Sequence, residues 1–410
     1  MIKKYTSLAA MLLLTATPSL TWAAHIVQHN LVSDLPGADH TDGNLVNPWG
    51  ITHGPSTPWW VSDNGTGVST LYTADGASVA ALPKVNIPGP GNTGSGTPTG
   101  TVFNGTTDFV YKGNMTRFLF ATEDGTVAVW PAGNGINAQI AIDSSKSAAG
   151  AVYKGIAIGQ QGALNRIYLA NFHTGVVEVY DTNFKPVSMP AGAFTDPTIP
   201  AGFAPFNVLN IDGNLFVSFA MQKQPDRKDD AAGPGLGYVD VFDGAGVLMM
   251  RLEHGKWMNS PWGMVHAPAN FGTWSNRLLI GQFGSGEIAT FDAHNGEFEG
   301  LLRGPKGKPI NINGLWGLSF GNDAAAGPSN TLFFAAGIND EANGLFGTLT
   351  PSKPGAGDDQ DDNDKGDDNK GDNNQGNNNQ GNNNHGGDNH GSDNHGGDNQ
   401  GGDKHGGGDN

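Results

Sequence analysis

Apolar and polar positions alternate most clearly over residues 59–73, WWVSDNGTGVSTLYT. The run opens on bulky β-forming residues, passes Ser62 and Asp63, reaches Thr66-Gly67 and resumes its alternation to Tyr72. The same pattern returns in register over residues 167–181, IYLANFHTGVVEVYD, with Ala170, Asn171 and Thr174-Gly175 in the corresponding places. Each copy predicts strand, turn and strand. Val, Tyr, Trp, Ile and Thr suit a half-buried pleated surface, and the central Gly supplies the positive φ of a tight turn. A two-stranded hairpin is marginal in water, so its repetition implies neighbours that cover the apolar face.

A shorter module precedes each hairpin: Asn47-Pro48-Trp49-Gly50-Ile51, Pro98-Thr99-Gly100-Thr101-Val102, Tyr153-Lys154-Gly155-Ile156-Ala157, Pro205-Phe206-Asn207-Val208, Pro261-Trp262-Gly263-Met264-Val265 and Leu315-Trp316-Gly317-Leu318. A spacing on the order of 50 residues suits the blades of a propeller. Further hairpins fall at residues 118–130, at 215–219 resumed at 238–243, at 278–292, and at 331–336 resumed at 344–349. The fourth and sixth copies carry insertions, residues 221–235 (MQKQPDRKDDAAGPG) and 338–343. With an outer strand such as residues 82–87 (LPKVNI), each unit counts four strands, but the last has only three by Pro351. The alternating stretch 25–32 (HIVQHNLV) is the expected fourth, closing the ring and removing exposed edges. An all-β, six-bladed β-propeller of four-stranded blades is therefore expected over residues 24–353.

Composition changes the picture at both ends. Residues 1–23 begin with Lys3 and Lys4, run apolar through Leu14 and finish on Thr21 and Ala23. This reads as a secretory signal peptide, too short in its apolar run to span a bilayer, and predicts export to the periplasm or the extracellular space. Residues 354–410 hold thirteen Asp after Gly355 against three Lys, four His (His385, His390, His395, His405) and no apolar residue after Ala356. Such a tail is expected to be disordered, either as a solubilising segment or as a hydrated tether that loosely holds divalent cations. It lacks the large apolar residue of each calcium-binding β-roll repeat, so an ordered roll is not expected. The chain of 410 residues carries a net charge of −17 and no Cys. Disulfides cannot staple it, and without a basic patch neither nucleic acid nor an anionic membrane is an expected partner. No later stretch is apolar enough to span a membrane, and a monomer is expected.

The repeats resemble NHL-type six-bladed propellers, whose signature runs strand, small residue, Asp or Asn, short turn, Gly, and a strand ending in an aromatic residue and Asp. The resemblance covers residues 26–350. More narrowly, NPWGI (47–51) and WWVSDNGTG (59–67) resemble an uncharacterised family of exported bacterial propellers, some of which end in a PEP-type sorting signal that the polar tail here does not reproduce. A more distant likeness, to gluconolactonase-like propellers, implies one divalent metal at the channel mouth held by Glu, Asn and Asp, several of them just before the module Gly. Those places hold Trp49, Thr99, Lys154, Phe206, Trp262 and Trp316. Such a set does not supply the oxygen ligands a hard cation needs. No cofactor is therefore firmly expected, and a divalent cation held by other loops stays open.

In a propeller the loop entering the inner strand and the loop inside the hairpin open on the same face. Trp49, Phe206, Trp262 and Trp316 are thus expected beside Asp63, Asn64, Glu123, Asp124, Asn171, His173 and Gln282. Flat apolar faces interleaved with polar groups suit a carbohydrate or an aromatic ligand. The same Trp residues equally suit wedges between blades, and Asp63 and Asn171 suit turn caps. Two functions follow from this face: an exported binding or scaffolding protein for a small molecule, glycan or protein, or a lactonase-like hydrolase or lyase with Glu123, Asp124, Lys154 and His173 as acid-base groups or ligands. Loop 221–235 offers a third, the capture of a protein partner. His53 and His266, each four residues after a module Trp, read as repeat descent or packing, since no other blade supplies a third metal ligand there. No G-x-S-x-G elbow, H-E-x-x-H or phosphate loop is present.

Overall fold

A computed structural model describes residues 25–352 apart from Ala132. The expected signal segment, residues 1–23, and the expected tail, residues 354–410, lie outside the described residues. Six antiparallel sheets surround one axis, each inner strand touching the inner strands of the blades before and after it. Among the described residues no helix is long and apolar enough to cross a membrane.

Blade one comprises Pro48–Thr52, Trp59–Asp63, Val68–Tyr72 and Lys84–Asn86, and blade two Pro98–Phe103, Asn114–Thr122, Thr126–Pro131 and Gln139–Asp143. Blade four is built from Phe203–Ile211, Asn214–Met221, Gly237–Phe242 and Leu248–Arg251, and blade five from Pro261–His266, Arg277–Gln282, Ile288–Asp292 and Phe298–Leu301. Blade three departs from the expected count: Tyr153–Gln161, Leu164–Asn171 and Val176–Tyr180 form its sheet, and the fourth path is reduced to a Tyr180–Pro186 bridge. Blade one carries the equivalent bridge, Tyr72–Ser78, and still pairs Lys84–Asn86 beyond it, so the difference lies in the chain after that turn.

Blade six joins Leu315–Phe320, Leu332–Ala336 and Leu345–Pro351 to the N-terminal strand Ile26–Ser33. That strand runs antiparallel to Leu345–Pro351, pairing Ile26 with Pro351 and Ser33 with Leu345. The ring is closed by the two ends of the propeller sequence, as its strand count implied.

The core lies between blades, and strand alternation decides which gap each side chain fills. Trp59 and Tyr72 pack with Phe333 and Phe346 of blade six. Trp60, one residue on, faces the other way and stacks on Phe118 of blade two at 3.9 Å between ring centroids. Two consecutive Trp therefore bolt one blade to both neighbours, consistent with side chains that alternate across a strand.

Each inner strand carries a register shift at its module. Pro48 pairs with Asp63 and Ile51 with Val61, so Trp49-Gly50 bulges out of the ladder. Equivalent shifts fall at the modules of Thr99, Lys154, Phe206, Trp262 and Trp316. A bulge re-aims the side chain it contains. The adjoining Gly answers a different demand, the closeness of the next inner strand. A Cβ on Gly50 would lie 2.8 Å from the Thr99 carbonyl oxygen, one on Gly263 2.4 Å from that of Trp316, and one on Gly317 2.5 Å from that of Trp49. Asn207 takes the Gly place in blade four and donates from Nδ2 to the Trp262 carbonyl at 2.8 Å.

Gly317→Ala is expected to lower stability by about 1–3 kcal/mol, the usual cost of overpacking. Gly43→Ala, in a turn where a Cβ meets nothing within 4 Å, is the matched control and should leave the urea midpoint within error.

Candidate functional site

The six bulges send the residue before each Gly toward the axis, where side chains from non-adjacent blades meet. Trp49 stacks on Trp316 at 3.5 Å and 16° and meets Trp262 edge-on at 5.9 Å. Phe283 covers the other face of Trp316 at 3.8 Å, and Phe206 lies 5.8 Å from it. These aromatic side chains form one cluster with Phe172, Ala204 and Ala220. Trp49, Phe206, Trp262 and Trp316 are at most 3% exposed. The expected ring of open aromatic faces is thus a closed plug, and its indoles present their faces to each other rather than to a ligand. Edge-to-face and offset pairs are favourable arrangements of such rings. Two of their N–H groups are used inward as well, Trp316 Nε1 donating to Asn47 Oδ1 and Trp262 Nε1 to the Lys154 carbonyl, both at 3.2 Å, while Trp49 Nε1 is buried without a partner.

Lys154 is the single cation among the six module residues. Its side chain is 3% exposed, with Nζ 4.9 Å from the centre of the Trp49 ring and 2.5 Å from Glu123 Oε1. Glu123 Oε2 accepts from Asn64 Nδ2 at 2.8 Å, and Asp229 Oδ1 lies 3.8 Å from the ammonium. Burial opposes ionisation of both partners, yet the mutual attraction outweighs it. The Lys154 ammonium holds the Glu123 carboxyl below its ordinary range, while Glu123, Asp229 and Asp230 hold the lysine above its own. The pair is ionised and fixed.

Two further carboxyls complete the mouth. Glu341 accepts from Asn47 Nδ2 at 2.7 Å, and Asp230 accepts from the Ser260 hydroxyl. Burial raises the pKa of each above the ordinary carboxyl value, against the pull of Lys154. For Glu341 the like charges of Glu123 and Asp230 add to that rise, so these carboxyls share one electrostatic neighbourhood. Asp229 and Asp230 come from insertion 221–235, and Glu341 from insertion 338–343. Among the described residues no group of three or more His, Asp or Glu is placed to hold a metal ion.

Of the residues expected at this face, Glu123, Lys154, Asn64 and Trp49 come together. Asp63, Asn171 and Gln282 are fully buried and face backbone instead. Asp63 Oδ2 accepts from the Thr70 N–H, Asn171 Oδ1 from the Val152 and Thr174 N–H groups, and Gln282 Oε1 from the Asn259 N–H. They brace turns and bulges, so a ligand does not reach them. Asp124 caps Thr97, accepting from its N–H and hydroxyl at 2.8 and 2.9 Å. His173 faces the Asp226 carbonyl at 3.0 Å and anchors insertion 221–235. Asn47, Asp229, Asp230 and Glu341 did not stand out in the sequence. Three of them sit in the insertions that interrupt the repeat, and that interruption was the available signal.

No family model matches the chain. It is 30% identical over 339 residues to the uncharacterized protein R648 of Acanthamoeba polyphaga mimivirus, a match that covers 80% of each chain. It is 31% identical over 325 residues to the uncharacterized protein L690 of the same virus, across 76% of this chain and 82% of that one. Similar solved structures include a streptogramin B lyase, at 12% identity and TM-score 0.47 over 82% of this chain and 100% of that one. A glucose dehydrogenase reaches 11% identity and TM-score 0.49 over 78% and 99%. Likeness at that level transfers no site.

Two outcomes test the assignment of structural and mouth residues. Burial raises the Asp63 carboxyl well above its ordinary 3.8, so the folded state keeps a proton that the unfolded chain releases. The contribution of Asp63 to stability should therefore fall as pH rises from about 4 toward neutrality, against the opposite contribution of carboxyls held low such as Glu123. Asp63→Asn, which installs the residue blade three has at Asn171, is expected to remove that contribution and add on the order of 1 kcal/mol at neutral pH relative to wild type, because the amide is buried neutral without taking up a proton. Lys154→Met leaves Glu123 buried without its partner and should cost about 3–5 kcal/mol, part of which Glu123→Gln restores in the double variant. Denaturant titrations at several pH values read both.

Proposed function

This propeller belongs to the same family as the mimivirus proteins R648 and L690, and from that premise we propose that it is an exported, NHL-like binding or scaffolding protein whose channel mouth takes a hydroxyl-rich ligand, a carbohydrate. The observation that carries this reading is the Lys154 cluster, an ammonium and several carboxyls gathered at one mouth by four blades and two insertions. A sugar hydroxyl both donates and accepts, and this mouth offers the carboxyls of Asp229, Asp230 and Glu341 around one ammonium, that of Lys154. Recognition rests on hydrogen bonds, because the indoles below are spent on one another. Export rests on residues 1–23. The protein acts as a monomer, with no nucleic-acid partner and no resident cofactor.

A second reading has its own support. Asp230 and Glu341 have carboxyls pushed up by burial next to a fixed ammonium, and displaced pKa values in a cleft suit acid-base chemistry. In a lyase or hydrolase these two groups would move protons while Lys154 stabilised a developing anion.

A glycan array probed with the full chain separates the readings. Wild type should retain glycans, and Asp230→Asn with Glu341→Gln should weaken retention about tenfold or more, since a hydrogen bond to a charged group is worth roughly 1.5–3 kcal/mol. The thermal midpoint of the double variant should stay close to wild type. Retention that survives both substitutions, or no retention at all, rejects the carbohydrate mouth. Turnover of a glycan or lactone that Glu341→Gln abolishes replaces binding with catalysis.

A further inference from the structure

Beyond the glycine ring the six inner strands splay apart, and the opposite end of the channel opens as a funnel of about 350 Å³. Its wall mixes polar and apolar surface in about equal shares, with Ile158, Leu209 and Val265 partly exposed along it, and no Lys or Arg lines it. At its rim a carboxylate meets an imidazole. Asp212, in the turn after Phe203–Ile211, holds a positive φ of 53° and reaches blade five, where its Oδ2 lies 2.6 Å from His266 Nδ1. His53, the repeat counterpart of His266, instead faces backbone carbonyls of Gly54 and Phe320. The pairing with a carboxylate is therefore a property of one position and not of the repeat.

A carboxylate that is 71% exposed, held by one neighbour and standing at the rim of the cavity, has unused acceptor capacity. Pockets of this size that combine apolar surface with placed polar groups are the usual form of small-molecule sites. We propose that this funnel is a second ligand site, distinct from the charged mouth, that takes a small organic cation: an aliphatic body among Leu209, Ile158 and Val265 with a primary ammonium on Asp212. His266 is a positioning residue, fixing the carboxylate toward the cavity. An ammonium matches both the charge and the open lone pairs of Asp212, where His266 is the one side chain already in place and no Lys or Arg lines the funnel to compete.

The test uses the full chain and a homologous series, n-butylamine, n-hexylamine and n-octylamine, followed by ligand-observed NMR. Each added methylene should tighten binding about three- to fourfold until the funnel is filled. n-Hexanol, with the same body and no charge, should bind roughly five- to tenfold more weakly than n-hexylamine. Asp212→Asn, which tolerates the left-handed backbone, should bring n-hexylamine down to the level of n-hexanol. Leu209→Trp fills the space and should abolish binding of the whole series, with Val265→Phe as the second filler if the first variant does not fold. Asp230→Asn, at the other face, should change nothing. Absent saturable binding, equal affinity for amine and alcohol, or indifference to Asp212→Asn each overturns the site. None of these results depends on whether the opposite mouth binds a glycan.

Discussion

Where a Cβ on Gly317 would come within 2.5 Å of the Trp49 carbonyl, the inner strands of blades six and one leave no room for a side chain between them. The same closeness recurs from blade to blade around the axis, met by five glycines and by Asn207. Most of the rest follows from it. Strands that close cannot keep a flat ladder with their own blade partners, so each bulges by one residue at the module. The bulge turns the preceding side chain inward, and six such side chains must share one axial space. Trp, Trp, Trp and Phe can fill it by stacking, which buries large rings with few polar atoms to satisfy.

Lys154 is the exception in that set. Moving an ammonium out of water costs several kcal/mol, so its presence in a plug of indoles requires compensation. Glu123 supplies the direct partner and Trp49 a ring face, but the pair alone does not explain Asp229, Asp230 and Glu341 gathered beside it. One buried cation cannot neutralise four carboxyls. Burial, more than the crowding of like charges, makes Asp230 and Glu341 hold their protons more tightly than free carboxyls. Asp229, by contrast, is 69% exposed and meets water. Shifted carboxyls beside a buried ammonium also occur in purely structural networks, so the cluster marks this mouth as a candidate site.

The ring was legible in the sequence because the features that build it repeat. Alternating strands, a Gly in the hairpin turns and a Gly after five of the six module residues all derive from constraints that every blade must meet, and the missing fourth strand of blade six located residues 25–32 at the closure. Blade three has no fourth strand in its sheet, a departure that its ordinary-looking repeat did not announce. The site was legible only in part. Glu123 and Lys154 stood out because they break the repeat at fixed positions, whereas Asp229, Asp230 and Glu341 lie in segments with no counterpart in other blades. Asp63, Asn171 and Gln282 attracted notice for the opposite reason: they sit at one equivalent turn position, and that equivalence marks a shared structural duty of capping backbone N–H groups.

The division between repeated and unrepeated residues also separates the two faces of the channel. Repeated residues make the glycine ring and the aromatic plug, which together fill the axis, and a cavity of about 20 Å³ lies among the ring residues Gly50, Gly100, Gly263 and Gly317. A ligand at one mouth cannot pass to the other. What differs from blade to blade is placed outside that seal: two insertions put acids over Lys154 on one side, and the turn bearing Asp212 meets His266 on the other. Each mouth can therefore change its chemistry without altering the ring that supports it. The inner strands remain the physical link, since the carbonyl of Lys154 that receives the Trp262 indole belongs to the strand whose far end, at Ile158, lines the funnel. A shift of Lys154 large enough to move that carbonyl would have to displace the plug as well, and dense packing resists it. The two faces are coupled by a rigid strand rather than by an open passage, which makes the default expectation independence.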